Sequence, residues 1–287
     1  MATWAAWDRN GRIRNNSHRR SVCACVNWAR GAGAERVQTG TPASTVSAGD
    51  RQPRWAGSGC RGSARARPLQ MRSQMSPRAL QQLRHVRDVV RNVLALPSTS
   101  FREGDVAPDA IRRICQAFDA LDLRPADLPV VKCPGIAYLD LVRSDEFDLG
   151  IFVLPPDSVL PYHNHPNMTV FTRVIQGAVH ICSLDWVEGA PAVNDNGALS
   201  GQTAVKTDAV KDPSSPTWYL TPTSGNVHRL KARQHSAMID LLVPPYSAEL
   251  GGYRRCSYFA DDGHGHLDEI DEPADLDIHC YEVPVGP

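Results

Sequence analysis

Residues 161–187 read PYHNHPNMTVFTRVIQGAVHICSLDWV and contain two β-rich runs that meet at Gln176-Gly177. Glycine readily adopts the backbone conformations of tight turns, so this dipeptide predicts a hairpin. Ahead of the hairpin, His163 and His165 stand two residues apart, between two prolines. In an extended chain, residues i and i+2 face the same side, so we expect both imidazoles to project together into the mouth of a barrel. The triplet is either a metal site or a pair of ordinary strand-end histidines.

Short strand patterns continue on both sides of this hairpin. Apolar residues alternate in residues 136–144 and 146–156, and short β-rich runs recur in TWYLTP, VHRLKA, SAMIDLLVP and CSYFA. Many short strands without helices between them predict a mainly β protein, either a β-barrel or a β-sandwich. Residues 189–216 are rich in Gly, Ala, Asn, Asp and Pro, and we predict an exposed loop there.

Two short helices are predicted before the strands. In residues 76–96 apolar side chains recur at helical spacing, Ser76 is an N-cap candidate, and Pro77 occupies the first turn. Residues 107–121 carry a second apolar stripe. We therefore predict one domain over residues 76–287, a β fold with N-terminal helices packed on its outside.

Residues 1–75 differ from the rest of the chain. They hold 13 Arg and no Lys against three acids, a net charge of +10, whereas the whole chain sums to zero. This Arg-rich segment is poor in aliphatic residues and is predicted to be a disordered extension, either an organellar transit peptide or a spurious start. It has no motif for nucleic-acid binding, and no apolar run in the chain is long enough to span a membrane. The scattered cysteines favour a reducing compartment.

A third metal ligand is expected in PTSGNVHRL, where Pro222 and Gly225 form a turn that delivers His228 to a new strand. Together with the H-x-H triplet, this resembles the two-part signature of the cupin superfamily. In that signature a Glu follows the triplet and a Gly follows the Glu. Here Gly177 matches the Gly, but Val170 stands at the position of the Glu. His180, His235, His264, His266 and His279 are further candidates, of which His180 is expected to pack in its strand, and His264 and His266 to lie in a solvated acidic loop.

The missing carboxylate restricts the chemistry of such a site. Three neutral imidazoles leave a metal ion its full charge and open positions, which suits a ligand that brings its own anion. A thiolate does so, an adjacent amine can chelate beside it, and a place remains for O₂. A zinc hydrolase is also chemically feasible, but it needs a positioned general base and none stands near the ligands in sequence.

Residues 76–287 resemble the plant cysteine oxidases and their animal relative, cysteamine dioxygenase. The resemblance is carried by GIFVLPPDSVLPYHNHPNMTVFTRVIQG, HICSLDWV, SGNVH, IDLLVPPYS and RCSYF in this order. It implies a cupin-type double-stranded β-helix, or jelly roll. It also implies an Fe(II)-dependent dioxygenase that uses O₂ to oxidise the N-terminal cysteine of regulatory proteins to the sulfinic acid. That product marks a protein for degradation through the N-degron pathway, which makes such enzymes oxygen sensors.

The resemblance also implies roles for individual residues. His163, His165 and His228 would bind the iron. Asp240 would support substrate binding or orient a ligand histidine, against the alternative of a hydrogen-bonded core acid. Tyr246 would lie beside the pocket, or be an ordinary loop aromatic. Cys256 and Tyr258 form a C-x-Y pair at the place where the animal enzyme can form a thioether crosslink, and two merely packed strand residues are the alternative here.

Three departures from the family pattern stand out: Asn167 and Val243 replace common glycines, and Cys182 replaces a common lysine. Asn tolerates a left-handed backbone, so the turn after the ligands is expected to survive. Two alternatives to the N-terminal cysteine substrate are a small thiol, cysteamine or free cysteine, and a metal-binding cupin without turnover. We expect a monomer in the cytoplasm or nucleus, or in an organelle if residues 1–75 are a transit peptide.

Overall fold

The computed structural model describes residues 74–96, 106–194, 197–247 and 254–286, and all structural statements below concern these residues. The predicted extension lies outside them except for residues 74 and 75. Two helices precede thirteen strands. They are α1 (Pro77–Leu94), α2 (Pro108–Asp119), β1 (Ile136–Arg143), β2 (Asp148–Leu154), β3 (Val159–His163), β4 (Thr169–Gln176), β5 (Val179–Trp186), β6 (Ala192–Val193), β7 (Leu199–Lys211), β8 (Trp218–Leu220), β9 (Val227–Ala232), β10 (Ser236–Val243), β11 (Tyr258–Asp261), β12 (His266–Ile270) and β13 (Ile278–Glu282).

The strands form two sheets, which we call the helix-side sheet and the outer sheet. The helix-side sheet has the order β13-β1-β2-β10-β4-β8, and the outer sheet the order β12-β11-β3-β9-β5-β7-β6. Between β2 and β10 the chain crosses repeatedly from one sheet to the other, so that β2-β10-β4-β8 faces β3-β9-β5-β7. This is the strand order of a double-sheet jelly roll. The prediction of a mainly β, cupin-type fold with N-terminal helices is therefore confirmed.

The helix-side sheet is buried on both faces. Leu139, Ile151 and Ile239 point outward into a core shared with both helices. Their strand neighbours Tyr138 and Met238 point the other way, into the space between the sheets. Because both faces are covered, every residue of β10 is buried. This explains why SAMIDLLV reads as a nearly continuous apolar run instead of an alternating one.

Both predicted helices are present. Ser76 caps α1: its hydroxyl accepts from the backbone N–H of Ala79 (3.1 Å) and donates to Asp127 Oδ1 (2.6 Å). The second bond ties the start of the helix to the segment that leads into β1. Neither helix is long and apolar enough to cross a membrane, and no other helix among the described residues is either.

The prediction of an exposed loop over residues 189–216 is wrong. The segment contains β7, a 13-residue strand that pairs with β5 from Thr203 to Lys211. Only one of the 13 β7 residues is buried, so their composition resembles that of a loop, and the backbone bonds to β5 determine the structure instead. The acidic loop predicted around His264 and His266 is present for His264, which lies in an exposed bend, but the prediction is wrong for His266, where β12 begins and pairs with β11 and β7.

The hairpin predicted at Gln176-Gly177 is confirmed between β4 and β5. Gly177 has a φ of 77°, and a Cβ built on it would lie 2.4 Å from Ser236 Oγ and 2.5 Å from the His235 carbonyl oxygen. The turn therefore needs glycine for its backbone angle and also for the space that a side chain would take from the start of β10.

Replacing Gly177 by alanine should destabilise the fold by about 2–4 kcal/mol, because backbone strain and a clash with β10 add together. Gly189 is a matched control: its φ is also 77°, but nothing lies within 4 Å of the position of its Cβ. Gly189→Ala should therefore cost only the strain of the backbone angle. Urea unfolding of both variants measures the difference, and equal losses would contradict a steric role for Gly177.

Candidate metal centre

Three histidines converge in a cavity lined by residues of both sheets. Antiparallel pairing of β3 with β9 sets His163 directly opposite His228. His165 follows two residues after His163, and one ring nitrogen from each residue lies within 4.8 Å of the other two. The structure thus brings together the three ligands that the two separate sequence motifs predicted.

His165 is held differently from the way the strand pattern predicted. β3 ends at His163, so His165 lies outside the strand, in the turn toward β4. Asn226 holds it there: the side-chain oxygen of Asn226 accepts from the His165 N–H (2.9 Å), and its amide group donates to the His165 carbonyl (2.8 Å). The amide also bonds to the Thr221 carbonyl (3.0 Å). Asn226 therefore fastens the first histidine motif to the second.

The sequence reasoning overlooked Asn226. Its only signal was its position two residues before His228 in SGNVH, inside the turn that delivers this ligand. In the same region the expectation for Asn167 is confirmed, because it adopts a left-handed backbone with φ 54°.

Hydrogen bonds to the Nδ1 atoms set the tautomers of the histidines. His163 Nδ1 lies 2.8 Å from the Pro161 carbonyl, which can only accept, so Nδ1 carries the proton. Tyr246 donates its hydroxyl to the Asn164 carbonyl (2.7 Å) and lies 2.8 Å from His165 Nδ1. Because the phenol has a single proton, its oxygen accepts from Nδ1 of His165. Both rings are left with an unprotonated Nε2, the atom that a metal would bind.

Burial keeps the three rings neutral. It lowers the pKa of His163, and it lowers the pKa values of His165 and His228 well below the ordinary range, with further lowering from their mutual repulsion. Neutral imidazoles are the form that binds transition metals, so the donor set fits such an ion without a preceding loss of protons. Among the described residues, the cluster able to hold a metal contains these three histidines and no acid.

Val170 occupies a hydrocarbon environment. It is 2% exposed and packs with Met168, Leu220 and Leu242, with Tyr246 at the edge of this cluster. A carboxylate at this position would be surrounded by apolar groups. The neighbourhood is therefore built for valine, consistent with a centre of three neutral ligands.

Asp240 lies in β10 and lines the same cavity as the histidines. The Thr172 side chain bonds to its carboxylate, while Oδ1 is buried and has no hydrogen-bond partner among the described residues. Burial raises the pKa of Asp240 to about 7. The side chain that orients a ligand histidine is Tyr246 and not Asp240. Asp240 is instead placed to bind a molecule inside the cavity.

The proposed crosslink residues are also in place. Tyr258 is the β11 partner of His163, and the buried Cys256 thiol bonds to the side chains of both Tyr246 and Tyr258. Burial raises the pKa of Cys256 to about 12, so the group is a thiol at neutral pH. His180, by contrast, bonds to Asp208 on β7 at 2.5 Å and does not line the cavity.

Comparison with known proteins agrees with this arrangement. The family model PCO_ADO, the plant cysteine oxidase and cysteamine dioxygenase family, matches residues 120–279. The chain belongs to this family. The match spans the cavity-lining strands from β1 to β11, and with them all seven predicted site residues.

Similar proteins are named after thiol oxidation. Plant cysteine oxidase 1 of Arabidopsis thaliana is 40% identical over 129 residues, covering 45% of this chain and 42% of that protein. A probable 2-aminoethanethiol dioxygenase of Dictyostelium discoideum is 31% identical over 132 residues, covering 46% of this chain and 58% of that protein. The chain thus spans about half the length of these relatives. An RmlC-like cupin from Desulfovibrio desulfuricans, 15% identical, aligns with a TM-score of 0.27 over 39% of this chain and 84% of its own.

Replacing Tyr246 by phenylalanine should weaken metal binding about tenfold, because the Nδ1–H of His165 loses its acceptor and the ring its fixed orientation. Competition between the protein and a chelator for Zn²⁺ measures the affinity. Tyr219→Phe in β8 is the control, since Tyr219 is 46% exposed and does not line the cavity. Equal affinities of the Tyr246 variant and the wild type would refute the orienting role.

Asp240 should make the stability of the metal-free protein depend on pH. Its pKa is about 7 in the folded state against 3.8 for the free side chain, so the folded chain holds a proton that the unfolded chain releases. Stability is therefore lost as pH rises between these values. Asp240→Asn should stabilise the protein relative to wild type by about 2 kcal/mol more at pH 8 than at pH 5. Urea unfolding at both pH values tests this, with exposed Asp145→Asn as the control, and a pH-independent difference would contradict it.

Proposed function

We propose that this chain is an Fe(II)-dependent thiol dioxygenase that oxidises an N-terminal cysteine of regulatory proteins to cysteine sulfinic acid with O₂. The observation that carries the proposal is the set of three neutral imidazoles, with unprotonated Nε2 atoms on His163 and His165 and with valine in place of a carboxylate ligand. Membership of the PCO_ADO family supports it independently.

The donor set suits iron with a thiol substrate. Fe(II) on three imidazoles would keep its full positive charge and supply open positions for a thiolate and O₂, together with the redox chemistry that moves both oxygen atoms to sulfur. Among the described residues the cluster that could hold the metal contains no acid, and Val170 stands where a carboxylate ligand would, so no carboxylate ligand competes with the thiolate.

The chain's own residues prepare the site for this reaction. Tyr246 fixes the orientation of His165, and Asn226 fixes the backbone of His165 relative to the strand that carries His228. Aliphatic and aromatic side chains line another part of the cavity and limit the access of water. They are Phe152, Leu160, Leu230, Leu242 and Ile278.

The protein substrate is proposed on the strength of the plant relatives. Plant cysteine oxidases 1 and 2 are 40% and 37% identical to this chain over the matched segments. An enzyme of this kind would sense oxygen through the N-degron pathway and would act in the cytoplasm or nucleus.

A small aminothiol is the second candidate substrate. The relatives named 2-aminoethanethiol dioxygenase, including the human protein at 26% identity, favour it. The two candidates share the reaction and the aminothiol group, and they differ in whether a peptide chain is attached to the carbon that bears the amine.

The proposal predicts that the iron-loaded full chain consumes O₂ and adds two oxygen atoms to a peptide that begins with cysteine. Mass spectrometry of the peptide detects the gain, and a peptide beginning with serine is the substrate control. His228→Ala should lose at least about a hundredfold in rate, since a metal bound by two ligands is weakly held.

Each alternative has its own signature. Oxidation of 2-aminoethanethiol but not of the peptide would assign a small-thiol dioxygenase. Stoichiometric metal without O₂ uptake on any thiol would assign a metal-binding cupin and overturn the proposal.

A further inference from the structure

A second carboxylate, Asp148, lines the cavity together with Asp240. In the pairing of β2 with β10, Leu242 stands opposite Asp148 and Asp240 stands opposite Gly150. Asp148 and Asp240 are therefore diagonal neighbours on one face of the helix-side sheet, about 7–8 Å apart at the backbone. A single small group placed between them can reach both carboxylates.

Both carboxylates have an unused oxygen. Oδ1 of Asp148 and Oδ1 of Asp240 are each buried, and neither has a hydrogen-bond partner among the described residues. Burial raises the pKa of Asp148 to about 6 and that of Asp240 to about 7. A buried acceptor without a donor costs stability, so two of them in one cavity indicate a ligand that supplies the donors.

The surrounding charges compensate these two acids only in part. Arg143 is the only cation among the charged side chains that line the cavity in the described residues, and it is bound to Asp140 at 2.6 Å. The positive charge of Arg143 is therefore shared between Asp140 and Asp148, since it also lowers the pKa of Asp148. The three imidazoles are neutral and add no positive charge. The cavity wall formed by β2 and β10 is consequently acidic.

Tyr138 completes this wall. A Cβ on Gly150 would lie 2.2 Å from the Tyr138 hydroxyl oxygen, so the tyrosine lies across the glycine, on the face that carries both carboxylates. Burial raises the pKa of Tyr138 well above its ordinary range, and Asp148 and Asp240 raise it further. The phenol therefore stays protonated beside the acids and adds no charge that would offset theirs.

We propose that Asp148 is a specificity-determining residue that, with Asp240, binds an ammonium group of the substrate while the sulfur is directed to the three histidines. The inference rests on the proposed thiol substrate and names the further feature that the site selects: a positive charge close to the sulfur. The donors of an ammonium group satisfy both unused oxygens, and its charge offsets the acidic wall.

The preference for an ammonium group is measurable without turnover. Zinc-loaded protein is titrated without O₂ with 2-aminoethanethiol and with 2-mercaptoethanol, which has the same chain and thiol but no ammonium. Asp148→Asn should reduce the affinity ratio of the two ligands about tenfold and leave 2-mercaptoethanol binding nearly unchanged. If nitrogen acts only as a metal ligand, the ratio will be the same in the variant, and the proposal fails.

Two variants control for folding and for overall charge. Asp145→Asn removes the same charge from the exposed turn between β1 and β2 and should leave the ratio unchanged. Asp148→Glu keeps the carboxylate and should restore part of the preference. If Asp145→Asn also lost the preference for 2-aminoethanethiol over 2-mercaptoethanol, the preference would come from the overall charge of the protein. That result would overturn the role assigned to Asp148.

Peptides identify the source of the ammonium group. We expect Asp148→Asn to lower the preference for a Cys-Gly peptide over its 3-mercaptopropionyl-Gly analogue, which lacks the α-amine. If Asp148→Asn instead weakens the binding of Cys-Lys more than that of Cys-Gly, the carboxylates bind a basic second residue. No change in either comparison would overturn the proposal. Because these are binding measurements, a protein that shows the preference but takes up no O₂ would refute the proposed function alone.

Discussion

The pairing of β3 with β9 is the constraint on which the rest of the site depends. It sets His163 opposite His228, although 64 residues lie between these two histidines in the sequence. Asn226 then joins His165 to the turn before β9, so the three rings converge without all lying in regular strands. A shift of one residue in this pairing would turn His228 to the opposite face of the outer sheet.

The helices and the helix-side sheet provide the rigid support for this centre. The helices α1 and α2 cover one face of the helix-side sheet, so β10 is buried throughout. Asp240 of β10 can therefore face the cavity on one side of this sheet, while Ile239 packs against the helices on the other. The polar groups of the site are thus surrounded by hydrocarbon. That environment keeps the histidines neutral, and it makes the unpaired oxygens of Asp148 and Asp240 costly unless a ligand satisfies them.

The strands and helices were predictable where their pattern is local. Neighbouring residues in the sequence determine the helix cap at Ser76, the turn at Gly177 and the apolar strand β10. The prediction was wrong for β7 and β12, whose side chains, many of them polar and few of them buried, give no period that distinguishes a strand from a loop. Their pairing partners decide their structure, and no local window contains those partners.

For the candidate site, the sequence by itself determined the residue types: two histidine motifs and a valine where a carboxylate would stand. Only the tertiary structure decided how they act together. The bond from His165 Nδ1 to Tyr246, the Asn226 bridge and the common face of Asp148 and Asp240 join residues distant along the chain. These contacts depend on strand register and sheet stacking, which arise from packing of the whole domain, whereas the ligand motifs arise from spacings of a few residues.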